Sequence, residues 1–151
     1  MGRKIILSAL VFVTLAFLSG TLFALNSKAT FKGTYSGTKG KGVVKGTLSM
    51  TKTSGTETLD EGTVKGKMSV TFLDKTINIT LSGTYSTTFE SVSDEVSGTT
   101  DGTYVGDGNI AGTWTITYNG IPPHLTWKAS FSGDEKGTAS GTITLEYQPT
   151  Q

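Results

Sequence analysis

The chain has one histidine, His124, and the residues around it limit the chemistry open to it. It follows Gly120, Pro122 and Pro123 in the segment 119–125, a composition typical of a loop. A metal site normally needs several histidine, cysteine or carboxylate ligands, and acid–base catalysis needs a positioned partner. Because the chain has no cysteine, we interpret His124 as a surface-loop residue and expect no metal site.

The carboxylates are also poorly arranged for catalysis. Asp94 and Glu95 are adjacent, so in a strand they point to opposite faces and cannot form the acid pair of a glycosidase. Asp101, Asp107 and Asn109 offer oxygen ligands suited to calcium, but they lack EF-hand spacing and lie beside glycines typical of turns. No serine lies in a Gly-x-Ser-x-Gly elbow, and no glycine loop of the phosphate-binding type is present. We therefore predict no catalytic residue, no cofactor and no enzymatic activity.

Aromatic residues are the stronger functional signal, because they fall on the apolar positions of alternating segments. One interpretation is structural, since a small barrel can be filled by its own side chains. The other is that tyrosine and tryptophan near an open mouth line a cavity and offer polar ends to a ligand. On this second interpretation the candidate ligand-binding residues are Trp114, Trp127, Tyr118, Tyr85, Phe131 and Tyr147.

The elements that would position these aromatics are strands. Segments 64–72, 77–85, 110–118 and 139–147 alternate apolar and polar residues, which indicates strands with one buried and one hydrated face. Threonine is abundant, with 28 residues, and alanine is scarce after residue 29, which favours strand over helix. Residues 89–105 alternate less regularly and predict one or two weaker strands around Val92, Val96 and Tyr104.

Glycines lie on the apolar track of these strands. A glycine inside a strand costs roughly 0.5–1 kcal/mol relative to alanine, so its repeated use at equivalent positions indicates a geometric need. Where a sheet curls to close on itself, glycine relieves crowding on the concave face. We therefore predict an all-β fold, an antiparallel up-and-down meander of about 8 to 10 strands closed into a barrel. A β-sandwich or jelly roll is the alternative. The glycines concerned are Gly33, Gly46, Gly66, Gly83, Gly112 and Gly141.

The segment Gly112-Thr113-Trp114, followed by an alternating strand, resembles the Gly-x-Trp strand of calycins, the small barrels that include lipocalins and avidins. The resemblance in strand style extends through most of residues 31–147. It implies a barrel that holds a small apolar ligand in its interior. In calycins the motif usually lies on the first strand, whereas the first strand here carries Gly33-Thr34-Tyr35, so no calycin ligand residue carries over.

Residues 1–29 differ from the rest of the chain and predict an N-terminal signal peptide or membrane-anchor helix. Arg3 and Lys4 precede an uncharged, largely apolar run, residues 5–25. This run is longer than a usual signal core and long enough to span a bilayer, so cleavage and retention as an anchor are both open. Plausible cleavage sites follow Ala24 or Ala29, and Ser27 and Ala29 match the small-x-small pattern. We expect residues 30–151 to form a single domain outside the cytoplasmic membrane, either secreted, periplasmic or at the cell surface.

The charge of that domain excludes some partners. Without residues 1–29, the 13 basic residues of the chain become 10 while all 12 acidic ones remain, so we predict no nucleic-acid binding. Lysines 39–52 precede any acid, whereas acids 90–107 lie in a stretch without a base, an asymmetry compatible with self-association. Two functions remain: a secreted, non-enzymatic barrel that binds a small apolar ligand, or an extracellular structural or adhesive subunit that assembles through strand edges.

Overall fold

The structure, a computed structural model, describes residues 25–149 of the chain and the side chains of residues 27–145. The predicted N-terminal signal or anchor segment spans residues 1–29, and its residues 1–24 lie outside the described residues. None of the residues that are described forms a helix long and apolar enough to cross a membrane. The described chain consists of eight strands: β1 (Leu25–Gly37), β2 (Gly40–Gly55), β3 (Leu59–Thr71), β4 (Thr76–Glu90), β5 (Glu95–Gly106), β6 (Ile110–Ile121), β7 (His124–Gly133) and β8 (Gly137–Pro149).

The strands form an antiparallel up-and-down meander, and β8 pairs with β1 to close the barrel. The closing pairs run from Leu25 opposite Pro149 to Gly37 opposite Gly137. The predicted all-β barrel is confirmed, and the sandwich alternative was wrong because one continuous sheet closes on itself. The eight-stranded antiparallel barrel is also consistent, at the level of architecture, with the resemblance to calycins. Because closure pairs every strand on both sides, none of the eight described strands presents a free edge along the barrel wall.

Side chains alternate between the barrel interior and the outer wall, as the period of two predicted. On β6, for example, Trp114, Ile116 and Tyr118 are buried, while the threonines between them are exposed. The interior is mainly apolar and the outer wall is rich in threonine, serine and lysine. This burial of one face of every strand, rather than any single contact, is the main source of stability for the barrel.

The irregular segment 89–105 contains the end of β4, one turn and most of β5, a regular strand that holds Val96 and Tyr104 as predicted. Val92, predicted to lie in a strand, is in the turn between β4 and β5 and is 91% exposed. The inward positions of β5 include Gly98, Thr100 and Gly102 between its apolar residues, so the apolar period that identifies a strand is interrupted. Backbone pairing to β4 and β6 holds β5 in place despite this pattern.

Six inward glycines stand opposite inward aromatic residues on the neighbouring strand, and this pairing explains them. In a closed barrel of this size, a large ring on one strand needs a position without a side chain beside it. The cross-strand pairs are Phe31–Gly46, Tyr85–Gly62, Trp114–Gly102, Tyr118–Gly98, Tyr104–Gly112 and Trp127–Gly141. At Gly46 a Cβ atom would lie 2.5 Å from the Phe31 ring, and at Gly98 it would lie 2.5 Å from the Tyr118 ring. Gly33 and Gly83 face Gly141 and Gly102 instead, so there two backbones approach closely.

Strand β1 begins at Leu25, five residues before the domain start that the sequence analysis placed at residue 30. Residues 25–29 pair with β8, and residues 26–29 also pair with β2. Ser27 and Ala29 are buried inside the barrel, at 8% and 1% exposure. The spacing of these two small residues therefore coincides with the inward track of a strand.

Candidate functional site

The predicted ligand-binding aromatics lie inside the barrel but do not converge on one point. Trp114, Trp127, Tyr118, Tyr85 and Phe131 are all buried, at 1–7% exposure. Tyr147 belongs to β8 and its backbone pairs with Ser27, but its side chain lies outside the described residues. The five described rings occupy the middle of the barrel and both of its ends. We call the end where β1 begins at Leu25 the N-terminal end, and the end with the turns at 38–39 and 134–136 the opposite end.

The two tryptophans fill the middle of the barrel in matching ways. Trp127 on β7 faces Gly141 on β8, which in turn faces Gly33 on β1. Its indole N–H donates to the backbone oxygens of Thr142, at 3.0 Å, and Lys32, at 3.2 Å. The ring of Phe31 meets it edge to face, with centroids 5.4 Å apart. The barrel itself thus supplies both the packing partner of the Trp127 ring and the hydrogen-bond acceptors of its N–H.

Trp114, on the neighbouring strand β6, repeats this arrangement toward β5 and β4. It faces Gly102 on β5, which faces Gly83 on β4. Its indole N–H donates to the backbone oxygen of Thr103 at 2.9 Å. Aromatic rings that cover cross-strand glycines stabilise curved sheets, so the geometry of both tryptophans matches a role in closing the barrel.

Tyr85 and Tyr118 lie together at the N-terminal end. Their neighbours include Thr87, whose hydroxyl lies 2.5 Å from the Tyr118 hydroxyl, and the ion pair between Lys52 and Asp60, with Nζ and Oδ1 2.5 Å apart. A cavity of about 20 Å³ lies among these side chains. That volume is close to the minimum for one water molecule. In the folded barrel as described, this end has no room for a larger ligand.

The opposite end is closed by Glu135, which the sequence analysis did not single out. The turn at 134–136 folds into the barrel mouth, and Glu135 is 6% exposed. Its carboxylate oxygen Oε1 accepts hydrogen bonds from the Tyr35 hydroxyl and, at 3.3 Å, from the Lys39 backbone N–H. Its backbone N–H and C=O both bond the Tyr104 hydroxyl, at 3.0 Å. Phe131 packs against Tyr35 and Tyr104 beneath this turn, and the remaining cavity measures about 10 Å³.

Burial shifts the acid–base behaviour of the interior tyrosines. Desolvation raises the pKa of Tyr118 to about 12, an effect opposed by the hydrogen bond to Thr87 and reinforced by the charge of Asp60. Desolvation, followed by the charges of Asp60 and Tyr118, raises the pKa of Tyr85 as well. At Tyr35, desolvation and the contact with Glu135 again raise the pKa. All three hydroxyls are therefore neutral donors at physiological pH rather than nucleophiles or bases.

The outer wall carries the charges, and their placement is uneven. Lys32 on β1 and Lys45 on β2 are direct cross-strand partners on the exposed face. Around the barrel, Glu90 on β4 and Glu95 on β5 are likewise direct partners and exposed. Within residues 27–145, the one ion pair is that of Lys52 with Asp60, so neither like-charge pair is neutralised by an ion-pair partner there.

An open groove of about 870 Å³ runs over the outer wall beside the lysine pair. Lys32, Lys45 and Lys67 lie along it, and Asp107 lies at its far side. Asp107 accepts hydrogen bonds from the backbone and side-chain nitrogens of Asn78, at 2.9 and 3.2 Å. The groove is therefore basic on the β1–β3 side.

The residues first considered for chemistry remain apart. His124 is not in a loop: it opens β7 and is exposed. Asp94 is in a turn and Asp101 is in the middle of β5, where it accepts a hydrogen bond from Thr84. Among the side chains that the structure describes, no three histidine or carboxylate groups lie close enough to hold a metal ion.

Comparison of the chain with protein-family models, curated proteins and solved structures finds no significant match.

Proposed function

We propose that this protein is an exported, non-enzymatic β-barrel that acts as a structural or adhesive subunit through its outer wall. The observation that carries the proposal is the filled interior: the cavities at the two ends measure about 10 and 20 Å³. A drug-sized ligand needs a pocket of about 300 Å³ or more. Closure of the barrel also removes the strand edges through which such a subunit would otherwise pair. Contacts with partners are therefore assigned to the exposed side chains of the wall.

Binding of a small apolar ligand inside the barrel, as in calycins, is the second candidate. Two observations favour it. Tyr85 and Tyr118 line the larger end cavity, and the buried hydroxyl of Thr100, on the strand position facing Tyr85, has no hydrogen-bond partner among the described residues. A ligand that displaced side chains at this end would gain polar partners.

One experiment separates the two candidates. The exported protein is run on size-exclusion chromatography over a range of salt and protein concentrations, and titrated with an apolar fluorescent probe. A wall-acting subunit associates at low salt, where exposed charges are least screened, and leaves the emission of Trp114 and Trp127 unchanged. An interior binder remains monomeric and changes that emission. A monomer without any probe response would contradict both candidates.

Export is part of the proposal, and β1 constrains where a leader is removed. Cleavage after Ala29 would delete residues 25–29, which pair with β8 and in part with β2, and would remove the buried Ala29 side chain. Cleavage after Ala24 leaves β1 complete.

We therefore expect an exported form that begins at Leu25, or one that retains residues 1–24 as an anchor. Intact-mass measurement of the exported protein distinguishes them. A mature form that begins at Thr30 and is as stable to urea as a chain beginning at Leu25 would contradict the assignment of residues 25–29 to the barrel.

A further inference from the structure

The outer wall holds two pairs of like charges that are unfavourable within one molecule. Lys32 and Lys45 face each other across β1 and β2, and Glu90 and Glu95 face each other across β4 and β5. Like charges directly opposite on a sheet destabilise it. Most other outward positions of these strands are threonine or serine, so neutral residues suit the same surface. The like-charge pairs therefore destabilise the monomer, and a partner of opposite charge would relieve their repulsion.

The two pairs cannot neutralise each other within a single barrel. Strand β3 separates β2 from β4. Because the barrel wall is curved, the two pairs face in different directions. Lys67, on β3, lies diagonally beside Lys45 and adds to the positive side. Asp94, in the turn between the two glutamates, is exposed and adds to the negative side.

We propose that the partner of the lysine pair is the glutamate pair of a second copy of this chain. The inference rests on the proposed wall-acting function and names its partner. Charge complementarity supports it, because each barrel carries one positive and one negative pair, both exposed. The open groove beside Lys32 and Lys45 gives the β4–β5 turn of the second copy a place to approach.

Such a contact is heterologous, since two different patches meet, and it leaves one patch of each sign free on every pair of molecules. Heterologous contacts close into rings or continue as open chains, according to the rotation between copies. The assembly is also expected to weaken steeply with salt, because all of its charges are solvent-exposed.

Charge reversal in both patches tests the proposal. One variant carries Lys32→Glu and Lys45→Glu, and the other carries Glu90→Lys and Glu95→Lys. Each variant alone has two patches of the same sign. The protein concentration at which it associates should therefore be at least about tenfold higher than for the natural chain. Mixed in equal amounts, the two variants should associate with each other again, which a folding defect would not produce. Sedimentation velocity at low salt measures both effects.

The control has the same change in net charge at lysines away from the patch: Lys75→Glu with Lys128→Glu, both exposed. It should associate as the natural chain does. Association that persists in the reversed variants, or mixing without rescue, would overturn this contact and leave the wall-acting function standing. A natural chain that stays monomeric at low salt would overturn that function itself. Lysine variants that associate normally but lose binding to anionic phospholipid vesicles would assign the lysines to a membrane surface and overturn the contact between copies.

Discussion

Replacing Gly112 with valine is expected to destabilise the barrel by about 3 kcal/mol or more, whereas Thr113→Val on the same strand changes stability by less than about 0.5 kcal/mol. A Cβ atom at Gly112 would lie 2.0 Å from the backbone oxygen of Ser132 and 2.7 Å from the Tyr104 hydroxyl. The nearest atom is backbone, so no side-chain rotation relieves the clash, and β6 and β7 must separate. Thr113 is exposed on the outer wall, and valine has nearly its shape.

Urea unfolding of the two variants measures the difference. Gly112→Ala serves as an intermediate, because alanine already introduces the clashing atom, and it should account for most of the loss. Gly40→Ala is the comparison for a glycine without crowding: its Cβ would meet nothing within 4 Å, so any loss of stability there reflects only the strain of alanine at a φ of +111°. Equal unfolding midpoints for Gly112→Val and Thr113→Val would contradict the crowding explanation.

The sequence predicts that Gly112 lies on the inner face of its strand, but it does not predict which neighbouring residue crowds it. Alternation along β6 places Gly112 and Trp114 on one face without any knowledge of the fold, because side chains in a strand alternate with a period of two. Which residue stands beside Gly112 depends on the register between β5 and β6. That register pairs it with Tyr104, and it is fixed by turn geometry and by the packing of the whole interior.

The candidate site shows the same division. The aromatic residues were predicted to face inward, and the structure confirms this for Trp114, Trp127, Tyr118, Tyr85 and Phe131. Whether they leave a cavity depends on side-chain volumes summed across eight strands, which no local pattern contains. The burial of Glu135 could not be predicted, because this residue stands between Asp134 and Lys136 in a sequence typical of a hydrated turn. Its burial follows from the turn folding back over the barrel mouth.

Raising the pH from 10 to 12 is expected to remove about 2 kcal/mol of stability through Tyr118 alone. Burial raises the pKa of this hydroxyl from 10.0 to about 12, so the folded state holds its proton after the unfolded chain has lost it. The contribution is fully present below pH 10 and is lost as the pH rises through the folded value. Tyr35 and Tyr85, whose pKa values are also raised by burial, act in the same direction.

Two variants isolate the Tyr118 contribution. Tyr118→Phe removes the titrating hydroxyl, so urea unfolding at pH 10, 11 and 12 should show a pH dependence flatter by about the amount attributed to Tyr118. Thr87→Val removes the hydrogen bond that lowers the pKa of Tyr118, so phenolate absorbance should show that hydroxyl ionising at still higher pH. A rise in the pKa of Tyr118 in the Thr87 variant is informative, because general loosening of the N-terminal end would instead lower that pKa toward 10. An unchanged pH dependence in Tyr118→Phe would mean that this end of the barrel admits water and that Tyr118 is not desolvated.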